Sequence, residues 1–311
     1  MAGHKSRAWE AKSRIPAGGG KYPPADFPAF SLPLLSMNKW FFILSLLALL
    51  VGTACSPEYR QYSQWSRKGS ISEKDSAAFY FYERGDYEKA ALLFEDLRGA
   101  YRGTDRARKL QYHYAYAKYN FGLYVVAAYY FEEYTRLYPN DALAPECYFM
   151  VGYCYYLEAA PYYLDQTFTN KAITQMQLFI NNYPTHDKVE EANKVITELR
   201  ERLAQKEFET ANLYYKIENF KAAVTSFEVM LQEYPDSRYR EEAMYLLFRS
   251  AVSLADVSTE RRKRNRYLDA VEYYERFVDA FPGSVFLKDA EAAYVKAKRN
   301  LGRILAGQAD S

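Results

Sequence analysis

The sequence predicts an all-α protein, a solenoid built from five helix pairs, and three observations carry that expectation. A small residue recurs at Ala90, Ala127, Ala172, Ala223 and Ala270, at intervals of 37, 45, 51 and 47 residues. Four residues after each stands a large side chain, Phe94, Phe131, Met176, Phe227 and Tyr274, which a helix places on the same face one turn on. Twelve residues after the last four anchors comes a proline behind an aromatic: Tyr138-Pro139, Tyr183-Pro184, Tyr234-Pro235 and Phe281-Pro282. Composition agrees. Among 311 residues there are only 14 Gly and 12 Pro but 32 Tyr, a balance that favours long helices over a many-turned β sandwich.

The elements follow in chain order. Residues 1–36 are rich in Gly and Pro around AGGGKYPPADFPAF and read as an extension ahead of the true start, which we expect at Met37. A transit peptide is the competing reading, and Pro16, Pro23, Pro24, Pro28 and Pro33 oppose the amphipathic helix it needs. Residues 37–54 read as a signal peptide: Lys39 is the positive flank and Trp40–Val51 the apolar core. Twelve such residues span about 18 Å as a helix, short of the ~30 Å hydrocarbon core of a bilayer. Gly52, Thr53 and Ala54 then lead into Cys55. The alternative is ordinary cleavage near Ala54, which leaves Cys55 a plain thiol. Residues 55–72 are expected to form a polar tether, residues 73–306 the five repeats and residues 307–311 a tail.

Within each repeat the small anchor lets two helices approach closely, and the large residue four later fills the space beside it. Proline ends the second helix, because it lacks an N–H and excludes the helical conformation for the residue before it. Gly85-Asp86 and Gly122 mark turns inside pairs. Eight residues past each proline a small residue returns at Cys147, Ala192, Ala243 and Ala290. The stretch from about Asp187 to Ile217 reads as one long amphipathic helix. Each pair exposes an apolar face that only a neighbour can cover, so the array should behave as one solenoid.

Charge and motifs narrow the function. The chain carries 41 Lys and Arg against 39 Asp and Glu, but the first 54 residues hold six of the cations and two of the acids. The remainder has 35 basic and 37 acidic residues, a net of −2, so nucleic acid is not an expected partner. The three histidines, His4, His113 and His186, fall in different segments, and no metal spacing, nucleophile elbow or phosphate-cradling loop is found. No enzyme activity, metal or cofactor is expected. Cys147 and Cys154 lie seven residues apart on one helix, about 10 Å, beyond disulfide reach, and are expected as buried thiols. The run Arg261, Arg262, Lys263 and Arg264, opening the second helix of the last pair or the loop before it, is a candidate docking site for an acidic partner or lipid headgroups.

The Gly, aromatic, Ala, aromatic and Pro marks resemble the tetratricopeptide repeat, although the spacing here exceeds its ~34 residues. That resemblance implies a right-handed superhelix whose first helices line a groove for a partner's peptide. Its register puts Phe79, Tyr82, Tyr112, Tyr116, Tyr119 and Asn120 on that groove as candidate peptide contacts. The segment before Cys55 resembles the lipobox of bacterial lipoproteins, with Gly52 where an aliphatic residue is usual, and implies lipidation of Cys55. Ser56 after it implies an outer-membrane address.

Three stretches carry a closer likeness: AAYYFEEYTRLYPNDALAPECYFMVGYCYY, DQTFTNKAITQMQLFINNYPTH and KEFETANLYYKIENFKAAVTSFEVMLQEYPDSRYREEAMYLL. Together with the leader they resemble the BamD (ComL-type) lipoprotein family of the β-barrel assembly machinery. The resemblance implies a lipid-anchored outer-membrane protein facing the periplasm, with unfolded outer-membrane protein precursors at its N-terminal repeats. It implies the barrel-shaped core subunit (BamA-like) at repeats three to five. The alternative is another periplasmic tetratricopeptide lipoprotein, scaffolding envelope division or pilus assembly. An enzyme accessory or cell-wall-binding protein is a third class.

Overall fold

The computed structural model describes residues 57–309, and the expectations for the leader, the signal and Cys55 lie outside them. Twelve helices follow one another among the described residues: α1 (Pro57–Lys68), α2 (Ile71–Glu83), α3 (Tyr87–Ala100), α4 (Asp105–Asn120), α5 (Tyr124–Leu137), α6 (Ala144–Leu157), α7 (Thr167–Asn182), α8 (Val189–Lys216), α9 (Phe220–Glu233), α10 (Arg240–Asp256), α11 (Glu260–Ala280) and α12 (Leu287–Ala309). From α2 onward each helix packs on the next, and α6, α8, α10 and α12 also touch in succession. This places α2/α3, α4/α5, α6/α7, α8/α9 and α10/α11 as pairs, with α12 covering the open face of the last. The described residues from Glu58 onward form one compact unit, and its four apolar clusters are built from its own side chains.

The anchors are where the helices meet most closely. Ala90, Ala127, Ala172, Ala223 and Ala270 are all fully buried, as are Phe94, Phe131, Met176 and Phe227 one turn later. Tyr274 instead stacks on Tyr294 of α12 with ring centroids 4.1 Å apart. The returning small residues Cys147, Ala192, Ala243 and Ala290 are buried too. At Gly152 a Cβ would stand 3.1 Å from the Met176 side chain, so α6 and α7 approach beyond what alanine tolerates without a shift. The residues before the four prolines end their helices alike, with φ between −128° and −135° and ψ between 58° and 66°. These angles lie outside the helical region, which a following proline disfavours. Pro139, Pro184, Pro235 and Pro282 therefore give four turns of one geometry.

Tyrosine hydroxyls tie consecutive pairs together. Tyr156 on α6 donates to Glu198 of α8 at 2.8 Å. Tyr245 on α10 donates to Asp289 of α12, which also receives Arg249, and Tyr273 on α11 donates to Glu228 of α9. Within the third pair's entry, Tyr134 donates to Asp141 at 2.8 Å and Asp141 in turn accepts the Leu143 N–H. Between the first two pairs Arg98 bonds Gln111 at 3.1 Å and Glu133 at 2.6 Å, with its guanidinium 4.8 Å from the Tyr130 ring centre. A tyrosine fits this task because its ring fills the inter-helix gap while its hydroxyl reaches a partly wet carboxylate.

Two boundaries differ from the sequence reading. Residues 57–68, expected within a polar tether over 55–72, are helical. Tyr62 and Trp65 sit three residues apart on one face and both pack edge-on against Phe81, with centroids 5.8 Å away. Gly69 then ends α1, and Ser70 starts α2 with a reciprocal cap to Glu73. At the other end α12 continues to Ala309, past the boundary at 306. The long helix expected from about Asp187 to Ile217 is α8, Val189–Lys216.

In three of the five pairs the turn takes a left-handed residue after the first helix. Gly85 and Gly122 supply it with φ of 79° and 85°, but the fourth pair uses Glu218 at φ 61°. A side chain in this region costs about 1 kcal/mol. Glu218→Gly is therefore expected to raise stability by about 1 kcal/mol, and Gly122→Ala to lower it by about the same amount. No atom lies within 4 Å of a Cβ at Gly122, so backbone strain alone is read there. Thermal unfolding of the two variants checks both signs.

Candidate functional site

The first helices of the first three pairs, α2, α4 and α6, bring an aromatic wall together. On α2, Phe79 and Tyr82 are one turn apart. On α4, Tyr112, His113, Tyr116 and Tyr119 follow at helical spacing, and each of these is partly buried. The His113 ring is the hub: centroids of Phe79, Tyr82 and Tyr112 stand 4.9, 5.3 and 5.3 Å from it, all edge to face. Its Nδ1–H donates to the Lys109 carbonyl at 2.8 Å, a contact that fixes the tautomer because a carbonyl can only accept. Burial, with Lys109 and Arg106 nearby, holds its pKa below the ordinary 6.5.

Tyr112 and Tyr116 converge on a single carboxylate. Both hydroxyls donate to Glu146 near the start of α6, Tyr112 at 3.0 Å to one oxygen and Tyr116 to the other. Burial and this carboxylate push both phenols well above the usual tyrosine range, so they remain donors at any physiological pH. Tyr119 packs on Tyr116 and Tyr124, at 6.2 and 5.5 Å between centroids. Asn120 is exposed at the end of α4, near Tyr82, whose hydroxyl pKa burial raises. Phe79 differs from the rest, because Arg106 and Lys109 lie 4.8 and 5.2 Å from its ring centre and occupy its faces. The five aromatic candidates are thus neighbours on α2 and α4, knitted by ring contacts, with Asn120 at the end of α4 beside them.

Sequence reasoning set His113 aside and did not reach Glu146, Tyr153 or Tyr156. Tyr153 stacks on Phe149 and meets Tyr156, with centroids 5.6 and 5.7 Å apart, carrying the wall onto α6. The i, i+3, i+4 aromatic register of α6 was a signal for the two tyrosines. For Glu146 there was none, since its value lies in two residues 30 and 34 positions away.

The basic run falls elsewhere. It opens α11 and is not in the loop before it. Lys263 pairs with Glu260 at 2.7 Å, while Arg261, Arg262 and Arg264 are exposed. Cys147 and Cys154 are free, buried thiols whose pKa burial raises, that of Cys154 to about 12. Among the described residues no His, Cys, Asp and Glu group is placed to hold a metal ion, and no helix is long and apolar enough to cross a membrane.

Residues 76–254, from α2 nearly to the end of α10, match the family model described as YfiO, outer membrane lipoprotein. The chain belongs to the YfiO family. Two relatives bear the name outer membrane protein assembly factor BamD. That of Caulobacter vibrioides is 23% identical over 208 residues, 67% of this chain and 65% of the relative. That of Rickettsia prowazekii is 24% identical over 179 residues, 55% of this chain and 68% of the relative. The chain therefore spans about two-thirds of the length of the curated relatives it matches. Among solved structures, the complex of the TPR2AB domain of yeast Sti1 with pHSP90 is 17% identical, covering 73% of this chain and 98% of that one at a TM-score of 0.36. The stretch matched to the YfiO model contains the whole aromatic wall.

His113 makes this wall sensitive to pH. A histidine whose folded pKa is depressed adds stability that is complete above its unfolded value near 6.5 and is lost as pH falls through the folded value. Acidification from pH 7.5 to 5.5 is expected to destabilise the native protein more than His113→Gln. Urea unfolding at the two pH values measures the difference.

Proposed function

We propose that this protein is an outer-membrane lipoprotein subunit of the β-barrel assembly machinery, a non-catalytic scaffold resembling BamD. The observation that carries the reading is the match of residues 76–254 to the YfiO family, supported by two relatives named as assembly factors. In this reading acyl chains on Cys55 hold the protein at the outer membrane, facing the periplasm. Two chains give the firm anchoring that one does not.

The aromatic wall on α2, α4 and α6 is the proposed seat for an unfolded barrel precursor. A precursor strand offers alternating aromatic side chains and few fixed charges, and it cannot be read by a rigid hydrogen-bond code. Rings set edge to face offer apolar area and quadrupole contacts without demanding one sequence. Tyr112 and Tyr116 are held by Glu146 and so present fixed faces, which reduces the ordering cost of binding. Pairs three to five, α6 to α11, are the proposed docking region for the barrel-shaped, BamA-like core subunit. The scaffold then acts by proximity, holding the precursor beside the subunit that inserts it.

A mild-detergent pull-down of the tagged protein from its native membranes tests the assignment. Near-stoichiometric recovery of an outer-membrane β-barrel with periplasmic repeat domains supports it. Recovery of division or pilus components without such a barrel overturns it. For the groove, Tyr119→Ala is expected to weaken binding of an aromatic-bearing precursor peptide by about fivefold, the loss of about 1 kcal/mol of ring contact. Fluorescence anisotropy with a labelled peptide reads that change.

A further inference from the structure

The turns inside the fourth and fifth pairs form an edge that carries exposed apolar residues among cations. Ile217 ends α8 and Val257 ends α10, at equivalent positions of neighbouring pairs, and both are large apolar residues left 60% and 70% exposed. Cations outnumber acids around them, the adjacent acids being Glu218 and Asp256. Arg261, Arg262 and Arg264 open α11 beside Val257, and Lys216 and Lys221 flank Ile217. On α12, Asn300 bonds the hydroxyl of Tyr267, one turn beyond Arg264, which brings exposed Arg299 and Arg303 to the same end of the pair.

Lys296 holds Asp256 at 2.9 Å and Lys263 holds Glu260 at 2.7 Å, so the nearby acids on α10 and α11 are already used. None of the seven other cations has an ion-pair partner among the described residues. Seven unpaired cations at one end of a chain whose sequence beyond residue 54 is net −2 is a concentration of charge that folding does not require. Placing three of them in the first turns of α11 also opposes the helix dipole.

We propose that this edge, Ile217 and Val257 with the cations around them, rests on an anionic phospholipid surface. Isolated aliphatic residues at turn tips, ringed by Lys and Arg, suit the headgroup boundary: the tips bury shallowly while the cations meet phosphates. Membership in a family of outer membrane lipoproteins puts a lipid surface within reach of the protein. An acidic protein would satisfy the cations equally, but it would give no reason for apolar tips that stand apart and do not form a continuous patch. With this edge on the membrane, α8 to α11 stand across the surface with their turns toward it.

Vesicle co-sedimentation tests the proposal with residues 58–311, which contain their own core and lack both the leader and Cys55, so no acyl chain contributes. Vesicles of phosphatidylcholine alone are compared with equimolar phosphatidylcholine and phosphatidylglycerol. Binding is expected only to the anionic vesicles and is expected to vanish at about 0.5 M salt, where the screening length is only a few Å. Each cation near such a surface strengthens binding by about fivefold. R261E, R262E and R264E combined are therefore expected to weaken binding more than tenfold. Ile217→Ser with Val257→Ser is expected to weaken it several-fold, and Lys288→Glu, at the opposite end of α12, to leave it unchanged. Circular dichroism melting confirms that these surface variants remain folded. Equal binding to both vesicle types, no binding, or binding indifferent to all the edge variants overturns the proposal, as does photo-crosslinking at position 257 to a protein in native membranes. No partner protein enters the vesicle assay, so its outcome is separate from that of the pull-down.

Discussion

Everything in this solenoid depends on helices crossing at a side chain no larger than a methyl group. At Ala90, Ala127, Ala172, Ala223 and Ala270 the second helix of each pair is brought down onto its neighbours, and the residues one turn later fill the crevices that the close crossing leaves. A larger group at an anchor would separate two helices, and the displacement would pass to the next pair, because each pair is covered only by its neighbours. Gly152 against Met176 takes the same logic further. The contact energy of such a crossing is distributed over many small dispersion terms, and it is geometry that makes them available together.

Tyrosine completes that architecture. A close crossing leaves a wedge toward the solvent where a wholly apolar ring would be half wet, and a phenol resolves the conflict by burying its ring and sending its hydroxyl to a carboxylate on the next pair. Tyr156 with Glu198, Tyr273 with Glu228 and Tyr245 with Asp289 repeat this arrangement at successive interfaces. It accounts for part of the 32 tyrosines. The aromatic wall on α2, α4 and α6 grows out of the same device. There the rings are numerous enough to leave faces and edges beyond those that structure needs, and Glu146 fastens two of them at once. The proposed binding surface is thus a surplus of the interaction that joins the repeats.

The two surfaces given functional readings differ in their physics. The wall is apolar, partly buried and internally hydrogen-bonded, with His113 held neutral among rings and cations. The turn edge of the last two pairs is exposed, cationic and unpaired. They draw on different forces, short-range apolar contact in one case and screened long-range attraction in the other. A scaffold that holds a chain near a membrane has use for both.

Period and punctuation were fully legible in the sequence: alanines, large residues four later and prolines twelve later are local marks, and local sterics turn them into helices, crossings and stops. The aromatic register on α2 and α4 was legible for the same reason, since i, i+3 and i+4 positions share a face whatever the tertiary structure. Tertiary structure alone decided the rest. It made Tyr62 and Trp65 a packed helix where composition read a tether, because Phe81 was there to receive them. It turned His113 from an isolated histidine into the hub of the wall, and Glu146 from one acid among many into the acceptor for two phenols. It also left Glu218 in a glycine's conformation and Arg261 to Arg264 partly without counter-ions. These are properties of pairs of residues distant in the chain, and a linear pattern records the members of such a pair but not their meeting.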